Sequence, residues 1–173
     1  MNPIKSMFAT LQAASHKIRT AFGVSDKTYG SGRDPPFQGF GQGNGAGPSG
    51  WAVISTPLII MMRKAGFGFS LPTALTMSAV NFVCYAFVDD ADVVHTAKDV
   101  DTTGDTVRQE MQQAIDHWEG GLKATGGALV PEKSYWYLIN FVWTGDRWRY
   151  ATKDNIPGDI SINNVDDSGR EVL

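Results

Sequence analysis

The sequence predicts an α+β fold in which antiparallel hairpins pack on helices. Three observations predict it. Apolar residues recur at helical spacing over Asp105 to Lys123. Runs rich in Val, Phe, Tyr and Trp flank short polar turns within 79–97 and 134–152, as hairpin strands do. The element order is helix, loop, helix, hairpin, helix, hairpin, with no alternating strand–helix–strand units. A chain of 173 residues that is 42% apolar is long enough to bury a core.

The first element expected is an amphipathic helix from Ile4 to Phe22, with Ile4, Met7, Phe8, Leu11, Ala14, Ile18 and Phe22 on one face and Gly23 as its stop. Residues 23–50 are too rich in Gly and Pro for a regular helix. Ser49 to Lys64 is the next helix, with Ser49 as N-cap and Pro57 expected to kink or split it. Ala79 to Val88 and Asp92 to Ala97 form the first hairpin. Asp105 to Lys123 is the clearest helix, with Val107, Met111, Ala114, Ile115, Trp118 and Leu122 as its apolar stripe. Gly126-Gly127 breaks the chain. Ser134 to Trp143 and Arg147 to Thr152 form a second hairpin around Thr144-Gly145-Asp146. Ile160, Ile162 and Val165 mark a last, weak strand in an otherwise polar segment after Lys153. No internal repeat is visible.

The formal charge of −3 and the lack of a long basic run argue against a free-standing nucleic-acid binder but not against a piece of a larger one. The single cysteine, Cys84, cannot form an intramolecular disulfide and fits an intracellular protein. No signal peptide is visible at the start, and the longest apolar run, Trp51 to Met62, is too short to span a membrane. His16, His95 and His117 have neither metal-ligand nor triad spacing and read as surface or packing residues. The five tryptophans read as core.

Three stretches carry potential chemistry. Asp89 and Asp90 stand side by side between two apolar, strand-like runs, where a turn would hold both carboxylates at a hairpin tip. Their mutual repulsion would be relieved by a divalent cation, and hard cations such as Mg²⁺ take carboxylate and phosphate oxygens. Asp is also a common turn residue, and a lone Asp-Asp between strands is more often a solvated turn than a metal site. The Gly39 to Pro48 segment precedes a helix, where glycines allow close backbone approach and free N–H groups can hold an anion. It lacks the Lys of a phosphate-binding P-loop, and taken alone it is a flexible loop. Finally, Asp99, Asp101, Thr103, Gly104 and Glu110 match places in a calcium loop, although the residues before them read as strand rather than helix.

Taken together, these segments resemble the palm of a retroelement reverse transcriptase. Gln42-Gly43-Asn44-Gly45-Ala46-Gly47-Pro48 resembles the family's Pro-Gln-Gly…Ser-Pro motif, with Gly41 in place of the Pro and Gly47 in place of the Ser. Phe87-Val88-Asp89-Asp90 resembles its aromatic-x-Asp-Asp box. Gly126 to Ser134 resembles the glycine and Lys-Thr or Lys-Ser pair that follow, and the hairpin from Tyr135 to Tyr150 stands in the place of the primer grip. The resemblance covers residues 4–150. It implies a palm-like antiparallel sheet packed on helices, incomplete here, in a partial domain at 1–150, with 151–173 as a polar tail or the start of a truncated connection.

It further implies template-directed nucleotidyl transfer to a DNA 3′-hydroxyl by a two-metal mechanism. Asp89 and Asp90 would hold Mg²⁺ (or Mn²⁺), Lys133 would face the triphosphate, and Gln42, Gly43 and Phe87 would line the template and nucleotide. The partners implied are an RNA or DNA template-primer and deoxynucleotide triphosphates. The family's first palm motif, with a third metal-binding Asp, would fall upstream of Ile4, so the chain reads as a fragment expected to be inactive alone. Two alternatives stand beside this reading: a catalytically dead remnant that acts as a nucleic-acid or protein interaction module, and a small calcium-binding module at 99–110.

Overall fold

The computed structural model describes residues 5–6, 9–10, 13, 15–30, 47–87, 90–155, 157–166 and 168–173. The chain forms two compact units, Met1–Gly50 and Trp51–Leu173. Its class is α+β: long helices accompany short antiparallel pairs of strands.

In the first unit Lys5, Ser6, Ala9, Thr10 and Ala13 are helical, but the expected helix does not run on to Phe22. Strands β1 (Ser15–His16) and β4 (Tyr29–Gly30) pair, and between them β2 (Arg19–Thr20) pairs with β3 (Gly23–Val24). The Ser25 backbone N–H donates to the Ile18 carbonyl at 2.8 Å, and the Ile18 N–H donates to Ser25 Oγ at 3.0 Å. Ile18 and Phe22, assigned to the helix's apolar face, are exposed. A helical stripe is stabilised mainly by the surface it packs on. These two side chains stay exposed, and the local turn bonds win.

Helix α1 spans Gly47–Lys64, with Pro48 in its first turn, where a missing N–H costs nothing, and Arg63 and Lys64 in its last turn, favourable to the helix dipole. Pro57 is accommodated inside it. A strand unforeseen in the sequence, β5 (Phe69–Pro72), pairs with β6 (Ala79–Phe82). The run expected as one strand from Ala79 to Val88 is two. Buried Val83 separates β6 from β7 (Cys84–Phe87), and β7 pairs with β8 (Asp90–Val93), which begins before the expected Asp92.

Gly68 explains the close fit of these pieces. Its φ is 92°, and a Cβ there would run into the Phe82 carbonyl oxygen. Only glycine brings α1's end this close to β6.

Helix α2 spans Gly104–Ala124. Thr103 caps it by accepting from the Thr106 N–H, and Asp105 lies in its first turn. At its other end Gly126 takes a φ of 84°, and the Gly127 N–H returns to the Leu122 carbonyl at 2.9 Å. Its stripe supplies Ala114, Trp118 and Leu122 to a core shared with Leu58, Met62 and Val83. Full burial of side chains such as Met62 and Val83 contributes about 1.5–3 kcal/mol each.

A 3₁₀ turn at Pro131–Lys133 precedes the hairpin of β9 (Phe141–Trp143) and β10 (Trp148–Tyr150). The expected strand from Ser134 is paired only over its last residues. Of the tryptophans assigned to core, Trp118 is buried, whereas Trp143 and Trp148 are exposed.

The chain closes with β11 (Ser161–Asn163) and β12 (Arg170–Val172), which pair with each other. Ile160 and Ile162 are buried. The outward edge of β11 is closed by side chains of α2. The Gln112 amide donates to the Ser161 carbonyl and accepts from the Ser161 N–H, both at 2.8 Å. Buried Glu119 accepts from the Asn163 N–H at 2.9 Å and from its side-chain amide at 3.1 Å. Side chains thus stand in for a neighbouring strand. All six sheets among the described residues are two-stranded. No described helix is long and apolar enough to cross a membrane.

Candidate functional site

The β7–β8 hairpin is built from alternating small apolar and large or charged residues. Cys84 pairs with Val93 and Ala86 with Ala91; Cys84, Ala91 and Val93 pack against the core. Burial pushes the Cys84 thiol pKa up, partly offset by Arg63. The other face holds Tyr85 opposite Asp92 and Phe87 opposite Asp90, all exposed. The Phe87–Asp90 pair closes the ladder at the end of the hairpin. Asp89, the other member of the acidic pair, lies outside the described residues, as do Gln42 and Gly43.

The structure adds Asp92 to the acidic face. At about 3.3 Å of rise per residue, Asp90 and Asp92 project from the same side of the strand about 7 Å apart. Period-two alternation from Asp90 was the signal that could have found it. Carboxylates at that spacing offer oxygen ligands to a hard cation that also binds phosphate. Among the described residues no group of three or more His, Cys, Asp or Glu side chains is placed to hold a metal ion.

The hairpin is anchored at its far end. Beyond β8 the Val94 N–H donates to the Val83 carbonyl at 2.9 Å. The His95 side chain is 2% exposed, and its Nδ1 lies 3.2 Å from the Gly68 N–H. A backbone N–H only donates, so Nδ1 carries its lone pair. Nε2 then holds the proton and donates to Glu110 Oε2 at 2.8 Å. Lys98 Nζ reaches Glu110 Oε1 at 3.2 Å. The His95 hydrogen bond, aided by Lys98 and opposed by desolvation, holds the Glu110 carboxyl below its usual range. His95 therefore ties the strand after Asp90 to the end of α1 and to α2. The sequence marked it only as a surface or packing residue.

Lys133 is the exposed last residue of the 3₁₀ turn, whose closing bond runs from the Lys133 N–H to the Val130 carbonyl at 3.1 Å. No ion pair among the described residues joins it to Asp90.

The 99–110 segment uses its ligand-type residues locally. Asp99 Oδ1 accepts from the Asp101 N–H at 3.1 Å and from Thr102 Oγ1 at 2.8 Å. Thr103 is the cap of α2, and Glu110 is held by His95 and Lys98. Strand β8 and irregular chain precede it, not a helix.

No family model matches the chain, and neither does any curated protein or solved structure.

Proposed function

We propose that the chain is part of an RNA-directed DNA polymerase of the reverse transcriptase type, with β7–β8 as its acidic hairpin. The observation that carries this reading is the Phe87–Asp90 pair at the end of that hairpin, with both side chains in solvent. Element order supports it. The hairpin is followed by α2, the Gly126-Gly127 stop, the Lys133 turn and the β9–β10 hairpin, as the motif resemblance requires.

The reaction would join a primer 3′-oxygen to the α-phosphorus of a deoxynucleotide, with cleavage of the bond to pyrophosphate. Bound at the hairpin, Mg²⁺ or Mn²⁺ would activate the attacking hydroxyl and stabilise the leaving oxygen. Asp89 and Asp90 would hold the cation, with Asp92 adding negative charge on the Asp90 face. Phe87 would offer its exposed ring to the nucleotide. Lys133 would offset charge on the triphosphate, and Gln42 and Gly43 would follow the template.

Calorimetry with Mn²⁺ and a deoxynucleotide tests the reading. Asp90→Asn is expected to weaken Mn²⁺ binding by about tenfold or more through loss of a carboxylate ligand, and Asp99→Asn to leave it unchanged. Absence of Mn²⁺ binding, or loss confined to Asp99→Asn, would overturn it in favour of no metal role or of the calcium loop. Primer extension on an RNA template separates a working enzyme, whose product Asp89→Asn abolishes, from an inert relative that binds metal without extending.

A further inference from the structure

The segment between the 3₁₀ turn and β9 forms neither helix nor strand ladder. Burial alternates along it: Tyr135, Tyr137 and Ile139 are exposed, whereas Trp136, Leu138 and Asn140 are half-buried. Leu138 and Asn140 lie against Gly104 at the start of α2. No backbone N–H or C=O from Tyr135 to Ile139 bonds to the backbone of another described residue. The exposed row continues into the hairpin, where Phe141, Trp143, Trp148 and Tyr150 share one face. Their rings meet across the strands, Phe141 with Tyr150 at 4.8 Å and Trp143 with Trp148 at 5.4 Å.

Unpaired edges of this kind are normally blunted by Lys, Pro or a covering side chain. Here Tyr135 to Gly145 contains no charged residue and no proline. The same molecule closes the edge of β11 with Gln112 and Glu119. The contrast marks 135–139 as an edge left open.

We propose that this edge pairs antiparallel with the same segment of a second copy of the chain, about a two-fold axis at Tyr137. Such pairing is isologous and closes on itself. It sets Tyr135 against the partner's Ile139, as aromatic and β-branched cross-strand pairs favour. The segment is uncharged, so two copies meet without repulsion. Tyr135, Tyr137 and Ile139 are 72% to 82% exposed. In the pairing their side chains stand beside the partner's on one face, and the main-chain hydrogen bonds of the added strand supply the affinity.

Single-stranded nucleic acid is the competing occupant of an aromatic row. Phosphate contacts dominate its affinity, and the run from Tyr135 to Gly145 carries no cation. Arg149 pairs with Val142 on the opposite face, and Arg147 lies 3.8 Å from Asp146 in the turn. The pairing stands whether or not the chain transfers nucleotides.

Sedimentation equilibrium of the full chain is expected to give a dimer. Tyr137→Lys sets like charges against each other at the axis and should raise the dissociation constant by about 100-fold, with unchanged far-ultraviolet circular dichroism. Hydrogen exchange at amides 135–139 should slow with rising concentration in the unmodified chain. A monomer with concentration-independent exchange at these amides overturns the proposal. So does a dimer undiminished by Tyr137→Lys. A monomer that binds a single-stranded oligonucleotide, with affinity lost on Trp143→Ala, assigns the face to nucleic acid instead.

Discussion

His95 shows how one buried side chain ties three segments together. Its ring accepts from Gly68 and donates to Glu110, so both polar neighbours depend on it. His95→Ala would leave the Gly68 N–H and the Glu110 carboxylate without this partner, at a cost of about 1–3 kcal/mol. Urea denaturation at neutral pH measures that loss. The pH dependence follows from Glu110, whose carboxyl is held low first by the His95 bond and then by Lys98. A group with a depressed folded pKa contributes fully above its unfolded value. That contribution is lost as pH falls through the folded value. Stability should therefore decline through the acidic carboxylate range, and His95→Ala should flatten that decline. An unchanged acid slope in the variant would show that another group governs it. The place of Asp90 at the hairpin's end was legible because carboxylates between apolar strands are conspicuous, while Asp89 lies outside the described residues. Asp92 and the His95–Glu110 pair were not legible. The first needs the strand register, and the second joins residues 15 positions apart across separate elements.

Elements were legible where local and tertiary preferences agree. Helix α2 has an apolar stripe, a Thr cap and glycines past its end, and it spans Gly104–Ala124 against the expected Asp105 to Lys123. The β9–β10 turn formed at the expected Thr144 to Asp146. The first helix does not run past its beginning, and Ile18 and Phe22, meant for its apolar face, stay exposed. Strand β5 was not foreseen: Gly66 and Gly68 just before it, both at positive φ, mark the end of a helix rather than the start of a strand. The docking of β11 could not be read locally. Its polar contacts bridge 49 positions from Gln112 and 44 from Glu119. Gln112→Ala would strand the N–H of half-buried Ser161 and should cost about 1–3 kcal/mol, with Glu119→Ala costing less at the Asn163 N–H because Asn163 is exposed. Hydrogen exchange at the Ser161 and Asn163 amides reports each change separately.

At the scale of the molecule, the buried cluster of Leu58, Met62, Val83, Ala114, Trp118 and Leu122 lies wholly within Trp51–Leu173. A piece comprising residues 47–173, which keeps all of α1, should melt cooperatively at nearly the temperature of the full chain. Calorimetry of the two would check this; a melt lowered by more than about 10 °C, well over 1 kcal/mol for a unit of this size, would assign the first unit a share in that stability. The clasp on β11 also has a temporal meaning. A ribosome adding about 5–20 residues per second needs roughly 2–9 s to travel from Glu119 to Asn163. Throughout that interval the Glu119 carboxylate is present without the amide it accepts from in the folded chain. Glu119 can exchange its water for that amide only once the amide has been synthesised.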